Sequence, residues 1–442
     1  MYKFVIAGGK PLRGRIKVGG AKNVAMKIPV AALLTDDKLK ISGMPQISSV
    51  TGTLDIVHLL GVKSKFTNHT LEIESQGINK YKVPLDTGSH HRTSTMVVGP
   101  LLARFGRAIV PNPGGCRIGL RPINLHVSAL TKMGAKVKYN SKDGYYYLEA
   151  RKSLEGISYT FPKNSHTGTE TIILAAVLAN GTTIIDNAAE EPEVDDLIKL
   201  LTLMGANIQR VKRKIIIKGV KKLHGTDFTI MPDRNETVTF AIAALATNGD
   251  VIVEGTDRHY IKSFLNKLND INAGWEPIGN LETRFYGTDK ILNATTVETA
   301  PYPGFMTDWQ APWTVLMTQC SGGSSVHETV FEDRFSYVSE LIKTGAKIDF
   351  FNPKLENPDK IYNFDLKGKK PHNQAISITG PTPLHDAILE TADLRAGATL
   401  VIAGLVATGT THVHGVEHID RGYERLDERL KTLGGRIKRI KE

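Results

Sequence analysis

Six stretches of the chain are apolar almost all the way round: Asn23 to Leu34, Thr93 to Phe105, Thr167 to Ala179, Glu236 to Ala246, Trp309 to Gln319 and Ala396 to Ala407. Residues 240–246 read Phe-Ala-Ile-Ala-Ala-Leu-Ala, and 172–179 read Ile-Ile-Leu-Ala-Ala-Val-Leu-Ala. A helix with no polar face has to be buried on every side. After each comes a Gly- or Asp-marked turn, a short β-branched strand, and a second helix with a polar face, such as Leu426-Asp-Glu-Arg-Leu-Lys-Thr-Leu. A glycine-marked turn and one or two strands of alternating character follow, as in Lys136-Val-Lys-Tyr-Asn and Arg436-Ile-Lys-Arg-Ile, which suits sheets wet on one face.

This is one unit written six times. The turns after the second helices carry Gly61, Gly134, Gly205, Gly274, Gly345 and Gly434, at intervals of 73, 71, 69, 71 and 89. The polar stretch Pro353 to Asn373 accounts for the long last interval as an insertion. The period exceeds that of ordinary solenoids, so each copy is expected to be a small α/β unit. The predicted architecture has helices inside and sheets outside, with six units divided as two domains of three.

A chain of 442 residues with 41% hydrophobic content can bury a full core and suggests two or three domains. The start, Met-Tyr-Lys-Phe-Val-Ile-Ala-Gly-Gly-Lys, shows no apolar signal segment, and the longest apolar run, Ile172 to Ala179, is far short of the roughly 20 residues of a membrane span. A cytoplasmic protein without membrane contact is expected. Two cysteines, Cys116 and Cys320, argue against a disulfide framework, and no Cys/His cluster has zinc spacing. Cys320 lies in an apolar helical pattern and reads as a core residue. The net charge of +11 raises the question of nucleic acid, but the basic runs Arg210-Val-Lys-Arg-Lys and Arg436-Ile-Lys-Arg-Ile-Lys fit solvated strand faces. Small phosphorylated ligands suit the charge better.

The polar residues gather at the N-terminal ends of the apolar helices: Lys22-Asn23, His91-Arg92, Lys163-Asn164-Ser165-His166-Thr167, Asp233-Arg234, Thr307-Asp308 and Asp393-Leu394-Arg395. Loops before the second helices add Glu190-Glu191, Arg334 and Asp420-Arg421. Thr167, Thr307 and Asp393 are open to a simpler reading as helix caps. Caps do not account for Lys22, Arg92, Lys163, Arg234 and Arg395, since cations are disfavoured at helix N-termini unless an anion binds there. Asp308 is the candidate base, with capping an equal alternative.

Residues 112–122, Asn-Pro-Gly-Gly-Cys-Arg-Ile-Gly-Leu-Arg-Pro, put the Cys116 thiol in a Gly/Pro loop between Arg117 and Arg121, where neighbouring cations favour both anions and the thiolate. Pro122 is placed to start a helix at Ile123-Asn124-Leu125-His126, and His126 reads as structural. The loop reads as an anion site containing a proton donor or nucleophile, the alternative being a surface loop with an incidental cysteine.

As a set, Gly20-Ala21-Lys22-Asn23, Pro113 to Pro122, Pro232-Asp233-Arg234-Asn235-Glu236, Thr307-Asp308, Asp393-Leu394-Arg395 and His418-Ile419-Asp420-Arg421-Gly422-Tyr423-Glu424-Arg425 resemble the UDP-N-acetylglucosamine enolpyruvyl transferase family, in order and from Phe4 to the final strand. The resemblance implies a two-domain inside-out α/β barrel, with one domain at 22–231 carrying the Cys116 loop, the other at 1–21 joined with 232–442, and the active site in the cleft between. It implies transfer of the enolpyruvyl group of phosphoenolpyruvate to the 3'-hydroxyl of UDP-N-acetylglucosamine with release of phosphate, the first committed step of peptidoglycan precursor synthesis. No metal or organic cofactor and no nucleic acid would take part.

By the same resemblance Lys22, Arg121 and Arg421 are phosphate-facing cations and Arg395 lies near the phosphoenolpyruvate carboxylate. Cys116 is the proton donor to the methylene carbon and the target of fosfomycin, and Asp308 is the base for the sugar hydroxyl. Asn23, Arg92, Arg121, Pro122, Ile123, Asn124, Leu125, Lys163, Asn164, Ser165, His166, Asp308 and Val330 hold substrate. The chain departs from the family's pattern at Ser49 and Thr51, where acids are usual, and at Met96 and Asn124. A 5-enolpyruvylshikimate-3-phosphate synthase shares fold and donor and is the second enzymatic reading. A non-catalytic nucleotide-sugar-binding paralogue is the third.

Overall fold

The computed structural model describes residues 2–114, 119, 122–150, 153–366 and 373–442. The chain forms two compact units, one of Met1–Gly19, Cys116–Leu120 and Pro232–Glu442, the other of Gly20–Gly115 and Arg121–Met231. Of the run 116–120 only Gly119 is among the described residues.

Among the described residues there are six sheets, three in each unit, on one plan. A parallel edge strand, a second strand, then two antiparallel strands form each four-stranded sheet. In the 20–231 unit Ser158–Thr160 runs parallel to Thr182–Asp186, which pairs antiparallel with Lys214–Lys218 and through it with Asn207–Val211. Asp227–Thr229 plays the parallel edge to Leu39–Ser42, followed by Thr70–Glu74 and Lys63–Thr67. The sheet of Arg107–Pro111, Tyr145–Glu149 and Lys136–Asn140 has three strands, its parallel edge reduced to a single bridge of Lys82 to Ile109.

The other unit repeats this with Arg13–Lys17 beside Asp250–Glu254, Thr296–Glu298 beside Gly322–His327, and Ile388–Glu390 beside Thr410–His414. Its last sheet takes its third strand from the opposite end of the chain: Tyr2–Ala7 lies between Thr410–His414 and Arg436–Lys441. Asp227–Thr229 returns to the first copy and Arg13–Lys17 opens the fourth, so that, apart from the run Cys116–Leu120, the chain passes between units near Gly19 and Met231.

Helices fill the interior of each unit. Every residue of Arg234–Ala246 is buried, as is every residue of Thr307–Thr318 except Asp308 and every residue of Leu394–Val406 except Val406. The three pack pairwise. In the 20–231 unit, His166–Ala176 packs on Val98–Phe105. Strands alternate as expected, with Phe4 and Ile6 wholly buried on one face of Tyr2–Ala7.

Three expectations need correcting. The first two interior helices are broken, into Lys22–Ala25 and Ile28–Ala32, and into a 3-10 turn Arg92–Thr95 followed by Val98–Phe105. Pro29 stands at the start of one second segment and Pro100 near the start of the other, where the missing backbone N–H costs nothing because the first turn has no intrahelical partner anyway. The fourth turn does not use Gly274. Gly61, Gly134, Gly205, Gly345 and Gly434 all have positive φ, and in the fourth copy the left-handed residue is Asn272 with φ 60°, two positions earlier. Asn tolerates that conformation through its short polar side chain. Finally, Pro122 precedes the helix without starting it, which runs Asn124–Lys132 with Ile123 at its N-cap.

Candidate active site

The helix Thr307–Thr318 is fixed by aromatic packing. Phe305 and Phe264 both meet Trp309 and Trp313 edge-on, with ring centroids 5.4–6.2 Å apart. Each such pair contributes roughly 0.5–1.5 kcal/mol beyond its buried area. Trp309 Nε1 also donates to Asn235 Oδ1 at 2.8 Å, tying this helix to Arg234–Ala246. Asp308, 24% exposed at the side chain, is thus the one open residue on a rigid support.

Two buried guanidiniums hold it. Arg334 Nη2 lies 2.5 Å from Asp308 Oδ1 and Arg395 Nη2 lies 3.3 Å from Oδ2. Burial opposes the charge on both arginines, but Asp308 with Asp393 around Arg334, and Tyr423 with Asp308 around Arg395, outweigh it, and both pKa values are raised. Arg395 Nη1 donates to the Tyr423 hydroxyl at 2.8 Å, and that hydroxyl shares a 2.7 Å hydrogen bond with Thr239. Arg395 Nε is buried, and among the described residues it has no hydrogen-bond acceptor. An unfilled charged donor beside a half-open carboxylate is the local signature of an anion site.

The capping alternatives resolve individually. Asp393 is a true N-cap, accepting from the backbone of Arg395 and Ala396. Thr307 is not a cap, because its hydroxyl donates to Glu328 Oε2 at 2.8 Å. Thr167 is not one either: Ser165 caps that helix by accepting from Gly168 N, and Thr167 instead meets His126 Nε2 at 3.0 Å. Asp308 lies in the first turn, its oxygens given to the arginines. Glu328 also accepts from Val330 N and Phe331 N, which sets the backbone at Val330.

In the 20–231 unit, Lys22 and Asn23 open the broken first helix, Arg92 opens the 3-10 turn, and Lys163, Asn164, Ser165 and His166 lead into His166–Ala176. His126 is buried, and burial together with Arg92 drives its pKa down to about 3, so it is a neutral structural residue at neutral pH. Pro122 and Asn124 are exposed, Leu125 is half-buried and Ile123 buried. Cys116 and Arg121 lie outside the described residues. Arg421 follows the short helix Val416–Ile419 and is half-buried, next to Asp420, which is held by both Nη atoms of Arg439. Ser49 sits buried in the first turn of Ser48–Leu59, and Thr51 is exposed there. Met96 is buried.

Two residues escaped the sequence reading. Lys27, 3% exposed, lies 2.9 Å from Glu170 Oε1, and His166 Nε2 lies 3.1 Å from the same oxygen of this wholly buried carboxylate. A lysine and a glutamate inside otherwise apolar helices, with His166 and Glu170 four apart, were the available signal. A buried acid demands cationic partners. Cys320 is buried, its thiol pushed up to about 12 by burial. Among the described residues no His/Cys/Asp/Glu group could hold a metal ion, and no helix is long and apolar enough to cross a membrane.

The EPSP synthase (3-phosphoshikimate 1-carboxyvinyltransferase) family model matches residues 6–430. The chain is 41% identical over 443 residues to a UDP-N-acetylglucosamine 1-carboxyvinyltransferase of Idiomarina loihiensis, covering 100% of both chains. It is also 41% identical over 449 residues to UDP-N-acetylglucosamine 1-carboxyvinyltransferase 2 of Carboxydothermus hydrogenoformans, again covering 100% of both. Among solved structures, the enolpyruvyl transferase NikO from Streptomyces tendae superposes with a TM-score of 0.85 at 21% identity, covering 99% of each chain. An EPSP synthase from Acinetobacter baumannii gives 0.74 at 18% identity over 100% of each.

Proposed function

The chain belongs to the EPSP synthase (3-phosphoshikimate 1-carboxyvinyltransferase) family of enolpyruvyl transferases, and from that premise we propose that it transfers the enolpyruvyl group of phosphoenolpyruvate to the 3'-hydroxyl of UDP-N-acetylglucosamine, releasing phosphate. The observation that carries the choice of acceptor is the full-length 41% identity to relatives of that name. In this reading the reaction is an early step of peptidoglycan precursor synthesis, it runs in the cytoplasm, and fosfomycin is an inhibitor aimed at Cys116.

Asp308 takes the proton of the sugar hydroxyl and Cys116 delivers one to the methylene carbon, so the oxygen adds to the neighbouring carbon as positive charge develops there. Phosphate then leaves as the Cys116 thiolate recovers a proton from the new methyl group, which restores the double bond of the enol ether. Lys22, Arg121 and Arg421 neutralise the phosphate, and Arg395 takes the phosphoenolpyruvate carboxylate. Asn23, Arg92, the run Arg121 to Leu125, the run Lys163 to His166, and Val330 hold the nucleotide sugar.

The pairing at Asp308 supports an order of events. A carboxylate between two guanidiniums is a weak base. When the substrate carboxylate engages Arg395, whose Nε has no acceptor among the described residues, it draws that cation away from Asp308 Oδ2 while Arg334 stays on Oδ1. Asp308 becomes more basic when donor substrate is in place.

Phosphate release in the presence of phosphoenolpyruvate tests the assignment. Release with UDP-N-acetylglucosamine and not with shikimate 3-phosphate is expected. The reverse preference would move the chain to the other branch, and tight nucleotide-sugar binding without release would make it a non-catalytic paralogue.

A further inference from the structure

The buried ion cluster of the 20–231 unit has no role in the chemistry above. Glu170 is 0% exposed at the side chain, and two cations converge on its Oε1: Lys27 from the broken first helix, itself 3% exposed, and His166 from one turn earlier on its own helix. Both contacts are ion pairs, at 2.9 Å from Lys27 and 3.1 Å from His166, and neither oxygen of Glu170 makes a hydrogen bond of good geometry among the described residues. His166 is the only one of the three that reaches the surface, with 23% of its side chain exposed. It does so as the first residue of its helix, directly after the Ser165 N-cap and the Lys163–Asn164 segment.

The charges around this ring come from several elements. Glu170 and Lys27 are its nearest neighbours, and Glu191, leading into Pro192–Leu203, adds a second acid. Arg92 and Glu170 act on the adjacent His126. Burial opposes charge on both members of the pair, but the mutual attraction of Glu170 and His166 wins: the imidazole is raised above its ordinary value and the carboxyl is lowered below its own. Lys27 works against His166 and for Glu170, keeping the acid ionised.

We propose that Glu170 is a positioning residue for the nucleotide-sugar site: held ionised by Lys27, it pins His166 by Nε2 as an imidazolium whose open side serves as a cationic hydrogen-bond donor to the phosphorylated acceptor. This rests on the reading of the Lys163 to His166 run as acceptor-binding. Affinity for the diphosphate of the acceptor therefore depends on a carboxylate that never meets it.

The test uses Lys27→Met/Glu170→Gln, which removes both buried charges together and leaves none unpaired. With selectively labelled histidine, and His166 assigned through His166→Gln, the imidazole of the unaltered chain titrates above the ordinary value and falls in the double variant. An unchanged midpoint overturns the proposal. In steady-state kinetics the KM for UDP-N-acetylglucosamine rises about tenfold near pH 7.5, where a free imidazole is neutral, and less than about threefold near pH 6, with kcat and the phosphoenolpyruvate KM within about twofold. Parallel pH profiles, or a matching loss in kcat, overturn it. If the double variant does not fold, Glu170→Gln alone is expected to lower the His166 midpoint, and an unchanged or higher midpoint counts against the idea. The titration and direct binding of UDP-N-acetylglucosamine need no turnover, so a failure of the enzymatic reading in the phosphate assay is distinguishable from a failure here.

Discussion

Asp308 and Arg334 face each other across 2.5 Å, the carboxylate in the first turn of an interior helix and the guanidinium in the segment after the strand Gly322–His327. The arginine is itself braced, its Nε reaching Thr307 Oγ1 at 3.2 Å and its carbonyl accepting from Gln310 Nε2 at 3.1 Å. Asp308 is therefore aimed by a buried framework while remaining open to a ligand.

Replacing Asp308 by Asn is expected to cut turnover by about 10²–10⁴-fold while nucleotide-sugar affinity stays within a few fold. Asp308→Ala loses catalysis too, and it also strips the buried arginines of a counter-charge, so it should cost about 3 kcal/mol of stability. Single-turnover rates, calorimetric binding and urea unfolding separate the effects. Turnover retained in the Asn variant would remove the base assignment.

Tyr423→Phe removes the acceptor of Arg395 Nη1 without disturbing an apolar ring buried at 1% exposure. Arg395 is then held less firmly, and the KM for phosphoenolpyruvate should rise about tenfold, as for loss of a hydrogen bond to a charged group. An unchanged KM for the donor would show that Arg395 does not serve it.

The two thiols should differ sharply in reactivity. Cys320 is buried with its thiol pushed up to about 12 and its Sγ directed at Leu316 O at 3.4 Å, so it resists alkylation in the native state. Iodoacetamide is expected to modify Cys116 alone, and Cys116→Ser to abolish labelling, fosfomycin inactivation and most turnover at neutral pH. Intact-mass spectrometry reads the stoichiometry, and turnover at the parent rate in the Ser variant would refute the acid role.

His126 should make the fold acid-sensitive. Its pKa is about 3 when folded against an ordinary 6.5, so between those values the unfolded chain binds more protons and stability falls as pH drops. His166 has the opposite shift and contributes below its ordinary value, fading as pH rises through its raised one. His126→Gln should therefore flatten the loss between pH 6.5 and pH 5, a difference of up to about 2 kcal/mol measurable by urea unfolding. A decline as steep as in the parent would mean that His126 is not the group responsible.

Much of this was legible in the chain. The apolar periodicity located all six interior helices, because burial on every side leaves no position for a polar residue, and the exceptions to that rule flagged Asp308, Arg395 and the Lys163 to His166 run. The broken first helices were not legible, since proline in a first turn is compatible with a continuous helix as well as with a break. Nor was the switch from Gly274 to Asn272, because either residue can take a left-handed turn.

What the sequence determined by itself is the repeat, the enclosed helices and the kinds of groups at their ends, all consequences of local pattern. Which of those groups meet was decided only in the tertiary structure. The placement of Tyr2–Ala7 between Thr410–His414 and Arg436–Lys441, of Arg334 and Arg395 on Asp308, and of Lys27 and His166 on Glu170 joins residues from separate segments or adjacent helical turns. The physical reason is that a buried charge specifies only that it must be neutralised, and packing chooses the neighbour that does so.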